Sequence, residues 1–251
     1  MTGQQNKVQV FQTPDELSFA ACKFTIELAN KAVEERGRFI ISLSGGHTPE
    51  NLYTLLSRPE FRDKMPWKKT FVFWGDERCV SLDDKANNAN MAISLLLKNV
   101  AIPSSNINRI PVNLSPDVAA ETYEKTLKNF FGNCDPCFDL ILLGLGENGH
   151  TASLFIGTDV LNERLRWIRS VYVEEQKMFR ITMTVPLINL SHNILFLVAG
   201  SNKASILKNV LTTTYETGKY PVQLIRPVNG DLYWFIDSKA SALLPGSIFL
   251  K

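Results

Sequence analysis

The stretch FDLILLGLGENGHT, at residues 138–151, decides the fold class because a buried strand leads directly into a glycine loop. Residues 138–143 form an apolar run, which is typical of a strand buried on both faces of a parallel sheet. Three glycines shape the loop that follows, and residues 151–155 are predicted to begin a helix. A strand, a loop and a helix in this order form the repeating unit of α/β folds.

The same alternation extends from this stretch toward both ends of the chain. Before it, strands are predicted at residues 38–43 and 70–74, with helices from Thr13 to Gly37, from Thr48 onward, at 88–97 and at 115–130. After it, strands are predicted at 194–198 and 232–236, and from weaker patterns at 167–173 and 180–185, with a helix at 201–211 and a short C-terminal helix. This pattern predicts a mostly parallel sheet covered by helices on both sides. No linker or repeat interrupts it, so we expect one domain over residues 1–251, with 156–192 as a candidate small subdomain.

The composition excludes several classes of function. The 27 basic and 25 acidic residues give a net charge of +2, which predicts neither a nucleic-acid partner nor a membrane partner. Residues 1–16 lack the apolar core of a secretory signal, and no apolar run is long enough for a bilayer, so we expect a cytosolic protein. Cys134 and Cys137 form a CxxC pair without further ligands nearby, which we interpret as a turn with two free thiols. The oligomeric state cannot be predicted from these features.

A glycine pair after the strand at residues 38–43 has the features of a phosphate site. In open parallel sheets, ligands bind beyond the carboxyl ends of the strands. Gly45 and Gly46 let backbone N–H groups approach an anion closely, next to Ser44 and at the positive end of the following helix. Thr48, which precedes a proline, is predicted to cap that helix. The alternative interpretation is an ordinary tight turn.

Two cations are candidates for the same anion. Lys203 lies in the first turn of the predicted helix after residues 194–198, where a positive charge opposes the helix dipole unless an anion is bound. Arg180, at the start of another predicted strand, is a weaker candidate. The alternative for Lys203 is that its side chain reaches solvent.

Two further loops carry candidate catalytic groups. Asp76 and Arg78 follow the strand at residues 70–74, where they indicate a polar site or, alternatively, a solvated loop with a weak ion pair. His150 follows three glycines, and histidine is the side chain best suited to accept a proton near neutral pH. A predicted helix N-terminus at Thr151 would keep the pKa of His150 low, so that it could act as a base. We therefore expect base-assisted chemistry on a phosphorylated small molecule.

Metal and serine-hydrolase chemistry are both disfavoured. The only histidines are His47, His150 and His192, and no two of them have the spacing of a metal-ligand pair, so no metal is predicted. The chain also has no G-x-S-x-G motif, which a nucleophilic serine on an α/β-hydrolase fold would require.

Five motifs in this order resemble the 6-phosphogluconolactonase family, within the group that includes glucosamine-6-phosphate deaminase. They are LSGGHTP at residues 43–49, WGDER at 74–78, GLGENGHTASLF at 144–155, RITMT at 180–184 and GSNK at 200–203. The resemblance implies a Rossmann-like three-layer α/β/α fold. It also implies hydrolysis of 6-phospho-D-glucono-1,5-lactone in the pentose phosphate pathway, without a metal or organic cofactor.

The resemblance also assigns roles to the candidate residues. His150 matches the proposed base, and Arg78 matches a site arginine of the acidic motif to which Asp76 belongs. The family's phosphate-binding positions correspond to Ser44, Gly45, Gly46, Arg180 and Lys203, and we expect Thr48, Asn148 and Gly149, in the same loops, to bind the substrate as well.

One departure from the family pattern concerns the partner of the base. The family commonly has aspartate two residues before the histidine, whereas this chain has Asn148, which can orient His150 but adds no negative charge. Glu147 or Asp76 would then have to supply any carboxylate that the reaction needs.

Two alternatives to the lactonase remain open at this point. The related deaminase typically has tyrosine in place of Arg78 and a glutamate a few residues after the histidine, and this chain has neither. A non-catalytic sugar-phosphate sensor on the same fold is the second alternative, and Asn148 is the residue that would favour it.

Overall fold

The computed structural model describes residues 6–213 and 219–249. Nine strands lie in these residues: β1 (Lys7–Phe11), β2 (Phe39–Leu43), β3 (Thr70–Trp74), β4 (Asp76–Arg78), β5 (Leu140–Leu143), β6 (Ile168–Val173), β7 (Met178–Met183), β8 (Asn193–Val198) and β9 (Asp231–Asp237). The described helices are α1 (Pro14–Arg36), α2 (Thr48–Ser57), α3 (Pro59–Arg62), α4 (Asn88–Leu95), α5 (Pro116–Phe131), α6 (Val185–Asn189) and α7 (Ala204–Thr212).

Six strands form one parallel sheet in the order β1-β9-β8-β5-β2-β3. β2 and β5 are neighbours, with Ser42 opposite Ile141. After β2 the sheet continues with β3 on one side of this pair, whereas after β5 it continues with β8 on the other side. Such a change of direction opens a crevice between the loops that follow two adjacent strands, which is where α/β proteins bind ligands. A second, antiparallel sheet has the order β4-β7-β6.

The central strands and α1 form for the reasons that the sequence indicates. Every residue of β2 and β5 is buried, as expected for apolar strands with both faces covered. At the start of α1, the Thr13 hydroxyl accepts the backbone N–H of Glu16 at 3.1 Å, and at its end Gly37 adopts φ +75°. α1 packs against β1, β2 and β9. The predicted α/β/α fold with a mostly parallel sheet is confirmed.

Three local predictions near this crevice were wrong. Residues 151–155 form turns instead of a helix, because Thr151 pairs with Leu154 in an isolated bridge and its hydroxyl is bonded to the carbonyl oxygen of Gly144 at 2.8 Å. α2 begins at Thr48 itself, after His47, and no side chain caps it. Asp76–Arg78 is a short strand, not a loop, because it pairs with β7.

Other boundaries also differ from the predictions. β1 was missed because it is an edge strand whose residues are exposed or half-buried, so it has no apolar run. A 3₁₀ turn at Ser201–Lys203 precedes α7, and Gly246–Phe249 forms a 3₁₀ turn where a short helix was predicted. Within the described ranges, no helix has the length and apolarity needed to cross a membrane. The N-terminal prediction falls partly on residues 1–5, which lie outside the described residues, and the number of domains stays a prediction.

Candidate active site

A cavity of about 550 Å³ lies at the carboxyl ends of the parallel strands, between the loops that follow β2 and β5. The predicted site residues that line it are Ser44, Gly45, Gly46, Thr48, Asp76, Arg78, His150, Arg180 and Lys203. Asn148 and Gly149 do not line the cavity and instead belong to the loop that carries His150. Residues from five separate parts of the sequence therefore meet at one edge of the sheet.

The loop after β5 is a compact turn that holds His150 in one place. The N–H of Gly146 donates to the carbonyl oxygen of His150 at 2.8 Å, and the N–H of Gly149 donates to that of Gly146 at 3.0 Å. A Cβ atom on Gly146 would lie 2.0 Å from Nδ1 of His150. Glycine at position 146 is therefore required for the imidazole to pack against its own loop.

Asn148 sets the tautomer of His150. Its Oδ1 lies 2.6 Å from Nδ1 of the imidazole and also accepts the backbone N–H of His150 at 3.2 Å. An amide oxygen can only accept hydrogen bonds, so Nδ1 carries the proton and Nε2 keeps its lone pair. Asparagine thus orients the ring as an aspartate would, but without a negative charge.

Burial keeps the His150 imidazole neutral. The pKa of His150 is lowered to about 4, and burial is the largest cause; the negative charge of Asp76 opposes the shift, whereas the nearby cations Arg180 and Lys203 add to it. The predicted low pKa is confirmed in direction, but its cause is burial, because no helix begins at Thr151. The Phe155 ring stacks on the imidazole with centroids 4.0 Å apart and contributes to that burial.

The loop after β2 presents backbone rather than side chains. The Tyr53 hydroxyl donates to the carbonyl oxygen of Ser44 at 2.7 Å and accepts its N–H at 3.0 Å, which fixes the start of the loop. Gly46 adopts φ +92°, a conformation that favours glycine. Within the described ranges, the N–H groups of residues 45–48 donate no hydrogen bond in the protein. They lie at the N-terminus of α2, where backbone donors are suited to an anion.

Arg180 is buried and held in position by several polar contacts. Its Nη1 lies 3.5 Å from Oδ2 of Asp76 and 3.4 Å from the Ser153 hydroxyl, which itself donates to Asp76 at 2.6 Å. Its Nε donates to the side-chain oxygen of Gln176 at 3.1 Å. Ser153 and Gln176 were not predicted as site residues, since only the fold brings them to Arg180.

Arg78 and Lys203 complete the positive lining of the cavity. The Arg78 guanidinium donates from Nη1 to the carbonyl oxygen of Ala86 at 2.7 Å. Lys203 ends the 3₁₀ turn before α7, and burial lowers its pKa while the nearby Glu147 carboxylate opposes that shift. Glu147 accepts a hydrogen bond from Asn202 at 2.7 Å and is not the partner of His150.

The described residues contain no group of three or more histidine, cysteine or acidic side chains placed to hold a metal ion. Cys134 and Cys137 are free thiols, as predicted, and they lie outside the cavity.

Comparisons with known proteins agree with this geometry. The family described as glucosamine-6-phosphate isomerases/6-phosphogluconolactonase matches residues 12–234. A 6-phosphogluconolactonase of Synechocystis sp. is 43% identical over 84% of this chain and 86% of its own length. One of Nostoc sp. is 39% identical over 92% of this chain and 96% of its own.

A solved structure extends the likeness to three dimensions. The 6-phosphogluconolactonase from Trypanosoma cruzi superimposes with a TM-score of 0.83 at 28% identity, over 95% of this chain and 96% of that one. Extent of match, identity and fold all agree, and the chain belongs to the glucosamine-6-phosphate isomerase/6-phosphogluconolactonase family.

Proposed function

We propose that the protein hydrolyses 6-phospho-D-glucono-1,5-lactone to 6-phospho-D-gluconate, a reaction of the pentose phosphate pathway. The observation that carries the proposal is the state of His150, a neutral imidazole whose Nδ1–H is bound by Asn148 in a cavity lined by cations. Such a ring offers Nε2 as a base near neutral pH. The named relatives of the chain support the choice of substrate.

The phosphate end of the substrate binds at the loop after β2. Backbone N–H groups of residues 45–48 donate to the phosphate oxygens, at the positive end of α2. Arg180 and Lys203, which line the same cavity, supply the positive charge. Because Arg180 is buried and Lys203 is half-buried, their interaction with a dianion is less weakened by solvent than a surface ion pair would be.

The lactone end binds near His150, which removes a proton from the attacking water. Water adds to the carbonyl carbon, and the oxyanion that forms is stabilised by the Arg78 guanidinium or by backbone N–H groups. The imidazolium then returns its proton to the ring oxygen as the C–O bond breaks, and this regenerates neutral His150. Asp76 stabilises the imidazolium through its charge, since it is the group that raises the pKa of His150.

Assays on the purified wild type separate this function from the two alternatives. We expect acid release from the lactone, followed at constant pH, to exceed the spontaneous rate in proportion to enzyme concentration, and we expect no ammonia from glucosamine 6-phosphate. Ammonia release would identify a deaminase instead. Binding of 6-phosphogluconate without any acceleration of lactone opening would identify a sensor. The cytosolic location stays a prediction.

A further inference from the structure

Glu77 is a buried carboxylate that the proposed mechanism does not use. It lies between Asp76 and Arg78 but is only 1% exposed and does not line the cavity. Its oxygens accept the backbone N–H groups of Arg78, Asn88 and Ala89, each at 2.8 Å. Burial raises the pKa of this carboxyl to about 7, and the three N–H bonds oppose that shift. A group so costly to bury indicates a specific local role.

These bonds close the loop at residues 79–87. Glu77 lies in β4, just before the loop, and accepts the first two N–H groups of α4, just after it. The side chain of Asn87 accepts the next free N–H, that of Asn90, at 2.8 Å. Ala86, inside the closed loop, holds the Arg78 guanidinium through its carbonyl oxygen at 2.7 Å. Glu77 therefore fixes the loop on which the orientation of Arg78 depends.

Asn88 connects the same region to the glycine loop after β2. It is 2% exposed, and its Nδ2 donates to the backbone oxygen of Asp76 at 3.0 Å. Its Oδ1 has no hydrogen-bond partner among the described residues and lies against Gly45, where a Cβ atom would be only 1.8 Å away. Gly45 has no positive φ, so glycine is required there by this contact and not by backbone conformation.

We propose that Glu77 and Asn88 are positioning residues for the two ends of the substrate site, the lactone end at Arg78 and the phosphate end at Gly45. Glu77 acts through residues 79–87 on Arg78, and Asn88 supports Gly45 of the phosphate loop. The assignment of the two ends rests on the proposed function. Loss of the Glu77 carboxylate should impair the reaction at the carbonyl carbon, and loss of the Asn88 side chain should impair phosphate binding.

Glu77→Gln tests the first half because it keeps the shape of the side chain and replaces one acceptor with a donor. We expect kcat to fall roughly tenfold or more and KM to change little, since small misplacements of a catalytic group are costly. Glu124→Gln is the matched control: Glu124 is 5% exposed and also accepts a backbone N–H, that of Ile168 at 3.3 Å, away from the cavity. It should lower the melting temperature without this loss of kcat.

Asn88→Ala and Gly45→Ala together test the second half as a double-mutant cycle. Each single variant should raise KM roughly tenfold with little effect on kcat, because a misplaced anion loop weakens ground-state binding. Gly45→Ala should do far less harm in the Asn88→Ala background, since the side chain that it would clash with is gone. A merely structural role would lower the melting temperature of Asn88→Ala and leave its KM unchanged.

The proposal is overturned if Glu77→Gln, folded by circular dichroism, keeps wild-type kcat, or if the effects of Asn88→Ala and Gly45→Ala on KM add. It is supported if Glu77→Gln lowers kcat, if Asn88→Ala and Gly45→Ala each raise KM, and if the last two effects are not additive. If the wild type does not hydrolyse the lactone, the proposed function fails by itself. The cycle can still be measured through calorimetric affinity for 6-phosphogluconate, where additive losses would overturn the role of Asn88.

Discussion

The loops after β2 and β5 leave neighbouring strands at the same edge of the sheet, yet they are built in opposite ways. The loop after β2 is fixed at Ser44 by Tyr53 and leaves the N–H groups of residues 45–48 without a partner in the described protein. The loop after β5 folds on itself through bonds from Gly146 and Gly149, and it buries much of His150. One loop exposes backbone, and the other displays a side chain.

The glycines of the two loops differ accordingly. Gly46 provides a positive φ in open space, since a Cβ atom at this position would have no other atom within 4 Å. Gly146 has no positive φ, but its missing Cβ leaves room for the imidazole of His150. Under the proposed function, a similar glycine-rich composition serves anion binding in one loop and placement of the base in the other. Substitutions in each loop should therefore affect different kinetic constants.

The largest effect is expected from His150→Ala. Removal of the general base should lower kcat by about 10²- to 10⁴-fold, while the affinity for 6-phosphogluconate stays close to that of the wild type. His47→Ala is the matched control, since His47 lines the same cavity but its side chain is fully exposed, and Glu50 is its one polar partner among the described residues. Wild-type kcat in His150→Ala would contradict the role of this histidine.

Gly146→Ala should have the next largest effect. The added methyl would lie 2.0 Å from Nδ1 of His150, so the ring must leave its position against Asn148. We expect kcat to fall by about 10²-fold, which a displaced catalytic group can cause. Gly144→Ala is the control in the same loop, because a methyl there meets no atom within 4 Å. Equal losses in the two variants would contradict the packing argument.

A smaller effect is expected from Gly46→Ala in the other loop. Alanine at φ +92° costs roughly 1–2 kcal/mol, so KM should rise by about tenfold while kcat changes little. Gly157→Ala has a similar backbone cost, at φ +76°, but lies outside the cavity and should leave KM unchanged. A fall in kcat without a change in KM would mean that this loop serves the reaction rather than binding.

The sequence predicted the alternation of strands and helices well because the central strands are apolar and buried on both faces. It also predicted which loops meet, since parallel strands end at one edge and each candidate loop follows a strand. Arg180 was predicted as the first residue of a strand and through the family resemblance, and it lies within β7. What failed were local features without a periodic signal, such as the exposed strand β1 and the turns at residues 151–155.

Contacts between distant residues were the other part that the sequence could not supply. Ser153 meets Arg180 because the turn that carries it packs on β7, where the Ser153 N–H donates to the Thr182 hydroxyl at 3.2 Å. Gln176, by contrast, reaches Arg180 locally, from the 3₁₀ turn that precedes β7. The low pKa of His150 was predicted from a helix end that does not exist, and burial produces it instead. No sequence pattern measures burial, so the direction was right although the reason was wrong.

The protonation state of His150 tests the account most directly, and ¹⁵N NMR of the histidine side chains measures it. The chain has only three histidines, and the spectrum of His150→Ala identifies the signal. At pH 7 we predict a neutral ring with the proton on Nδ1, and titration near pH 4, with kcat falling as the pH drops through that value. A ring that is positively charged at pH 7, or that carries its proton on Nε2, would contradict the account.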